Sequence, residues 1–220
     1  MEININSGEQ FWNDFEKYLK HNNRFFIPNT IRQILDKIII DKTFNGKILS
    51  NEILYRGRKG RHLCIDNMGA PNEEESNTGR CNPKGIPYLY LSRDIGTCIS
   101  ELKPNIGEDV TIGSFKINKD LSIFSLIDNV YVGDKFEVDL SLFLNFNFSK
   151  FVTVDKELNY IPTQFFSELV KNNSFDGIEY SSSVYKTGKN IVLFDTNSAS
   201  CFKTELYKVN NIYYEYEKRV

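Results

Sequence analysis

The stretch Thr78-Gly-Arg-Cys-Asn-Pro-Lys-Gly-Ile-Pro-Tyr-Leu-Tyr-Leu-Ser-Arg-Asp-Ile-Gly-Thr-Cys-Ile-Ser-Glu101 organises the reading of this chain. It runs from a Gly-Arg turn through two prolines into a short apolar run, Tyr88–Leu91, which reads as a buried strand. Ser92 can cap a following helix that turns Ile95, Cys98, Ile99 and Leu102 inward and stops at Pro104. Loop, strand and helix carry Arg80, Tyr90 and Glu101, three groups that an anionic, ring-bearing ligand could use together.

Strands and helices continue outward on both sides. Upstream, Glu52–Tyr55 reads as a strand leading into Arg56-Gly-Arg58. The polar, glycine-bearing stretch Lys59–Gly85 is a loop long enough to carry function or motion. Downstream, residues 110–115 and 121–127 read as two strands joined by an Asn118-Lys-Asp120 turn. Residues 134–158 fit helix and strand about equally. Phe165, Phe166, Leu169 and Val170 form a helical stripe, and Ile178–Tyr180 and Asn190–Asp195 read as buried strands. The tail from Phe202 to Glu217 reads as a hairpin around Asn210-Asn211.

Residues 1–48 have a different texture. Ser7-Gly-Glu-Gln10 matches a capping box, and Phe11, Trp12, Phe15, Tyr18 and Leu19 follow on one face. Pro28-Asn29 offers a second start, with Asn29 as cap, before Ile31, Ile34, Leu35, Ile38 and Ile39. The expected fold class is therefore α+β. Residues 1–48 form an N-terminal helical extension, and residues 49–220 form the main domain. The extension holds no obvious chemistry, so its default role is packing.

Composition limits the function. The 220 residues are 40% hydrophobic and 25% charged, enough for a full core with large aromatic pieces. The 27 basic and 29 acidic residues leave a net charge of −2, so nothing steers the chain toward nucleic acid or anionic lipid. Phosphate binding must be local. The N-terminus lacks the basic start and apolar core of a signal peptide, and no apolar run approaches membrane-spanning length. A cytoplasmic protein is expected, without membrane or direct nucleic-acid partners. Cys64, Cys81, Cys98 and Cys201 are scattered and there are two histidines, so no metal spacing exists. Reduced, inert thiols are the expected state of the cysteines.

Four arginines, Arg56, Arg58, Arg61 and Arg80, lie in or beside the glycine-bearing loop, where guanidinium forks and exposed backbone N–H groups suit phosphate. Solvated loop positions explain Arg58 and Arg61 equally simply. Arg80, between Gly79 and Asn82-Pro83, is a less expected place for a surface arginine. Tyr90 reads as a core tyrosine or as a stacking platform for a ring. Glu101 falls on the inward stripe, where a carboxylate has to be paired, with an arginine for example, or functional. Ser182 is one of three consecutive serines and says little alone.

The string Gly79-Arg80-Cys-Asn82-Pro83-Lys-Gly85-Ile-Pro87-Tyr-Leu89-Tyr90 resembles the opening motif of RES-domain proteins, a family named for an Arg, a Glu and a Ser that mark its site. Thr97-Cys-Ile-Ser-Glu101-Leu-Lys-Pro104 resembles its glutamate helix. Gly177-Ile-Glu-Tyr180-Ser-Ser182 matches its serine pattern, and Asn190-Ile-Val-Leu-Phe194 its closing string. The resemblance runs in order from about Leu54 to Phe194, and the two leading helices resemble the extension of longer members. One departure is Cys81, where the family often has an aromatic residue.

The resemblance implies an ADP-ribosyltransferase-like mixed β core flanked by helices. It also implies consumption of NAD+ as substrate with no prosthetic group, and a toxin held inactive by an antitoxin protein covering the site. Carried over by position, Arg80 grips the NAD+ diphosphate, Tyr90 stacks on or orients the nicotinamide side, and Glu101 stabilises the cation formed as the glycosidic bond breaks. Ser182 binds a phosphate or ribose hydroxyl, Arg56 is a second phosphate ligand, and Gly79, Asn82 and Asn190 complete the substrate-binding set. The implied reaction is hydrolysis or phosphorolysis. Two alternatives stand beside it: ADP-ribosyl transfer to a macromolecule, and a non-catalytic NAD-binding or interaction module.

Overall fold

The computed structural model describes residues 7–41, 44–127, 134–150, 152, 154–213 and 218. Among them are six α-helices and one eight-stranded sheet, so the chain is α+β. No helix of the described residues is long and apolar enough to cross a membrane.

The N-terminal helices form where caps and stripes place them. Ser7 Oγ accepts from Gln10 N at 3.2 Å and starts α1 (Gly8–His21), which buries Phe11, Trp12, Phe15 and Leu19. Helix α2 (Asn29–Ile40) buries Ile31, Leu35, Ile38 and Ile39. Its cap is Pro28 rather than Asn29, and no side chain bonds the exposed N–H groups there. The prolyl ring fixes φ, which is enough to start the helix. Residues up to 48 also supply a strand, β1 (Asn45–Ile48), which pairs antiparallel with residues 121–124.

The remaining strands are β2 (Ile53–Lys59), β3 (Leu89–Ser92), β4 (Asp109–Ile117), β5 (Leu121–Ser125), β6 (Gly177–Ser181), β7 (Lys189–Leu193) and β8 (Ala199–Lys208). Their order across the sheet is β1-β5-β6-β7-β3-β2-β4-β8. Among the described residues only β5 and β6 run parallel; every other pair is antiparallel. β4 and β5 follow one another across the expected Asn118–Asp120 turn, yet they lie in different halves of the sheet. Both edges of β4 are taken, by β2 and β8, so the chain leaves β4 and crosses the sheet. The tail contributes the single long strand β8. The return arm of the hairpin expected there falls largely on 214–217, outside the described residues.

The pleat sorts the core into two faces. Phe124, Ile178 and Val192 meet α1, α2, α4 (Lys135–Ser149) and α6 (Ile161–Asn172). Leu89, Leu91, Ile123, Ile191 and Leu193 point the other way, where Met68 of a 3-10 turn joins them. On the helical face Phe124 stacks on Phe44 at 4.9 Å and meets Phe166 edge-on at 5.6 Å. Gly8 marks the closest helix contact: a Cβ there would lie 2.1 Å from the Leu140 amide nitrogen of α4.

The sheet opens between β2 and β3. β2 follows β4 over seven paired positions, from Ile53↔Lys116 to Lys59↔Val110, but meets β3 only at Tyr55↔Ser92. Beyond that pair the two strands part.

Candidate active site

The parting of β2 and β3 creates a cavity of about 280 Å3 lined by Tyr55, Arg56, Tyr90, Glu101, Tyr180 and Asn190 among others. Three elements bring the polar groups there. Helix α3 (Ile95–Leu102) ends with Glu101 in its last turn. Its cap is Asp94, whose Oδ1 accepts from Thr97 N at 2.8 Å and whose Oδ2 accepts from Thr97 Oγ1 at 2.6 Å. The expected cap, Ser92, stays in β3 and donates its Oγ proton to Asn190 Oδ1 at 3.0 Å. Aspartate can take both the backbone and the threonine donor, which a serine on the strand cannot reach.

Glu101 is exposed at the cavity mouth, not turned inward as its place on the stripe suggests. Its burial cost is therefore small, and the partners are two neutral donors rather than an arginine. Ser182 Oγ donates to Glu101 Oε1 at 2.8 Å, and Asn190 Nδ2 donates to the same oxygen at 2.6 Å. Ser182 follows β6, and its own amide donates to Gly188 O at 2.8 Å, which sets the loop. Of the three serines it is Ser182 that meets the glutamate; Ser181 Oγ instead accepts from Asn145 Nδ2 at 3.5 Å. The chain of bonds Ser92–Asn190–Glu101 ties the helix end to β3 and β7 and fixes which carboxylate oxygen is occupied.

Tyr90 and Asn82 are also together. The Tyr90 hydroxyl donates to Asn82 Oδ1 at 2.7 Å and accepts from Cys81 N at 3.0 Å. Burial, with the nearby Cys81 thiol, pushes the Tyr90 pKa well above its ordinary value, so this hydroxyl stays protonated. Its oxygen is spent on the Gly79–Asn82 turn, and the ring forms part of the cavity wall. A Cβ at Gly79 would lie 2.3 Å from Asn82 Oδ1 and 2.5 Å from the Tyr90 hydroxyl. Gly79→Ala therefore breaks the Tyr90–Asn82 bond. We expect a loss of about 1–3 kcal/mol in chemical denaturation, the cost of a disrupted buried hydrogen bond. A variant as stable as wild type would show that the turn yields freely.

Arg80 goes elsewhere. Its two terminal nitrogens donate to Asn147 O at 2.8 Å and Lys150 O at 2.6 Å, the open carbonyls at the C-terminus of α4. A cation is favoured there by the helix dipole. Its guanidinium carbon lies 5.2 Å from the Tyr160 ring centroid and 6.0 Å from that of Tyr180. Tyr180 lines the cavity and Arg80 does not. The arginine that does reach the cavity is Arg56. It donates to Tyr90 O at 3.3 Å across the strand gap, while its Nε is buried with no hydrogen-bond partner. Desolvation first, then the neighbouring Arg58 charge, lowers its pKa to about 10. A guanidinium in this state is short of an anion.

Some residues of the site carry no mark in the sequence. Gln164 on α6 donates from Nε2 to Gly79 O at 2.8 Å and Asn82 O at 2.9 Å, and Thr163 Oγ1 donates to Arg80 O at 2.7 Å. Both are buried polar residues beside the helix's apolar stripe, and that mismatch was the available signal. The cysteines offer no nucleophile in the cavity. Burial raises Cys98, which lines it, to about 12, and Cys81 likewise to about 12. Among the described residues no group of three His, Cys, Asp or Glu could hold a metal ion.

A match to the RES domain family model covers residues 53–213. The chain belongs to the RES-domain family. The RES match runs from the start of β2 to Tyr213, and takes in Arg56, Arg80, Tyr90, Glu101, Ser182 and Asn190. Among solved structures the chain is similar to the M. tuberculosis MbcT–MbcA toxin–antitoxin complex, with 12% identity, a TM-score of 0.48, and coverage of 80% of this chain and 91% of that one. No curated protein sequence matches the chain.

Proposed function

We propose that this RES protein consumes NAD+ by cleaving the bond between nicotinamide and its ribose. The observation that carries the reading is the held carboxylate: Glu101 Oε1 takes two donors, from Ser182 and Asn190, at a cavity whose wall also contains Arg56, with its buried Nε lacking a hydrogen-bond partner. Those two features match the two ends of the nicotinamide nucleotide half, a ribose that becomes cationic and a diphosphate.

In the reaction the C1′–N bond breaks and its electron pair leaves with nicotinamide. Positive charge spreads over C1′ and the ring oxygen, and the fixed carboxylate of Glu101 stabilises it without having to reorganise. Ser182 and Asn190 hold that carboxylate, and Ser92 holds Asn190. Arg56 receives the diphosphate. Arg80, the residue expected to grip it, supports the site from behind: it fixes the end of α4 and packs against Tyr180 at the cavity wall. The ribosyl cation is then captured by water or by inorganic phosphate. Depletion of NAD+ in the cytoplasm would make the chain a toxin, and a protein covering the cavity mouth would be its antitoxin.

The test is nicotinamide release from NAD+ by the purified protein, with and without inorganic phosphate and with the adenine half labelled. Free ADP-ribose identifies hydrolysis, its 1″-phosphate identifies phosphorolysis, and label on protein or nucleic acid identifies transfer. No nicotinamide under any of these conditions overturns the reading.

A further inference from the structure

Ser182 opens the loop between β6 and β7, and hydrogen bonds close that loop on itself. Ser182 N donates to Gly188 O at 2.8 Å, and Gly188 N donates to Tyr185 O at 2.8 Å. Val184 N donates to Ser182 Oγ at 3.2 Å. That bond occupies an acceptor site of the hydroxyl, whose proton goes to Glu101 Oε1. These bonds give the loop its shape. They do not fix where it sits on α3, the helix that carries Glu101.

Close approaches to two glycines define the seat. A Cβ at the buried Gly188 would lie 2.6 Å from Thr97 Oγ1 and 2.9 Å from Ser182 Cβ. A Cβ at Gly96, in the first turn of α3, would lie 2.9 Å from both Cζ and Oη of Tyr185. The loop backbone therefore rests on Thr97, and the Tyr185 ring reaches over Gly96. Thr97 is fully buried, whereas Tyr185 is 40% exposed. Tyr185 does not line the candidate cavity. It lines a separate one of about 540 Å3, with Ile99, Lys103 and Ile212 among others.

We infer that Tyr185 is a positioning residue: its ring, laid over Gly96, seats the 182–188 loop on α3 and so holds the Ser182 hydroxyl on Glu101. The effect on turnover rests on the NAD+ reading above; the seat itself does not. Geometry argues first, because the ring tip fills space that any side chain at position 96 would take. Connectivity argues second. The Tyr185 carbonyl and the neighbouring Val184 amide both belong to the bonded loop that ends on Ser182, so a shift at Tyr185 reaches the hydroxyl within two bonds. Chemistry argues third. A carboxylate stabilises a developing cation best when it is fixed beforehand, and Ser182 is one of two donors on the held oxygen. Tyr185 falls between the Gly177–Ser182 and Asn190–Phe194 strings, so neither string marks it.

The test compares Tyr185→Ala, Tyr185→Phe, Gly96→Ala and the double variant Gly96→Ala/Tyr185→Ala on the full chain. Tyr185→Ala should lower kcat for nicotinamide release by about ten- to a hundredfold, the cost of a slightly misplaced catalytic group. KM should stay within about twofold, because Tyr185 does not touch the substrate. Tyr185→Phe keeps the ring and should keep the rate. Gly96→Ala displaces the ring and should slow turnover as Tyr185→Ala does. Alanine is the better helix residue, so this variant should unfold at the same denaturant concentration as wild type or a higher one. The double variant should be no slower than either single one, since both remove one contact. Independently of activity, amide exchange read by NMR should speed up about tenfold or more at Ser182 and Gly188 in Tyr185→Ala, and not in the β6–β7 ladder. Wild-type kcat in Tyr185→Ala, unchanged exchange at those two amides, or losses that add in the double variant each overturn the inference. The two readings fail separately. Faster exchange with no nicotinamide released even by wild type keeps the seat and removes the reaction. Nicotinamide release by wild type with unchanged exchange in Tyr185→Ala removes the seat and keeps the reaction.

Discussion

Glu101→Gln is expected to lower nicotinamide release from NAD+ by about a hundred- to a thousandfold, the usual cost of removing one preorganised electrostatic partner of the transition state. The substitution isolates charge from shape. Glutamine keeps an oxygen that can accept from Ser182 Oγ and Asn190 Nδ2, the two donors now on Glu101 Oε1. Only the negative charge and the second oxygen are lost. Because Glu101 is exposed and its partners are neutral, the unfolding midpoint should stay within the scatter of a surface substitution, about 0.5 kcal/mol. KM should change little beside kcat, since the charge it answers develops as the bond breaks. A Gln variant turning over at the wild-type rate would remove Glu101 from the chemistry, and the family's glutamate with it.

What the sequence could show about this site depends on the range of each interaction. Alternation at Leu89-Tyr90-Leu91 and the stripe of α1 are local, and the structure follows them. The spacing of Ser7 and Gln10 likewise places a helix start. The same kind of signal was present at Asp134-x-x-Glu137, a complete capping box that opens α4, but the aromatic run behind it fits a strand as well and hid it. Strand order is different, because nothing local says that both edges of β4 are occupied and that β5 must cross the sheet. The site shows the same division. Glu101, Ser182 and Asn190 stand in separate motif strings of the family, and in the structure they share hydrogen bonds. Arg80 is equally visible as a residue, yet its partners are the carbonyls of Asn147 and Lys150. Backbone acceptors leave no residue-type signature, so no reading of composition could place that guanidinium. The unpartnered Nε of Arg56 is also a fact of burial alone.

Trp12→Ala should destabilise the whole chain by about 3–5 kcal/mol, the range for removing a large aromatic from a packed core. Trp12 is 1% exposed. Its ring centroid lies 5.3 Å from Phe15 and 6.5 Å from Phe166 of α6, in edge-on contacts. The loss should be global because α1 is not packed against itself: its buried face belongs to the same cluster as Phe124, Phe148, Phe166 and Ile178. α6 in turn carries the Gln164 amide that holds the Gly79–Asn82 turn. Urea unfolding followed by far-ultraviolet circular dichroism should therefore show one transition, shifted as a unit. A second, unshifted transition would mean that residues 49–220 fold independently of the helices before them. Trp12→Phe sharpens the argument. Trp12 Nε1 is buried with no hydrogen-bond partner, and an unmade bond of that kind costs about 1–3 kcal/mol. Phenylalanine gives up part of the packing but also removes the unpaired N–H, so the two terms oppose each other and the variant should lose far less than Trp12→Ala. Equal losses in the two variants would show that the indole N–H does find a partner, and that the packing of the second ring is what α1 supplies to the core.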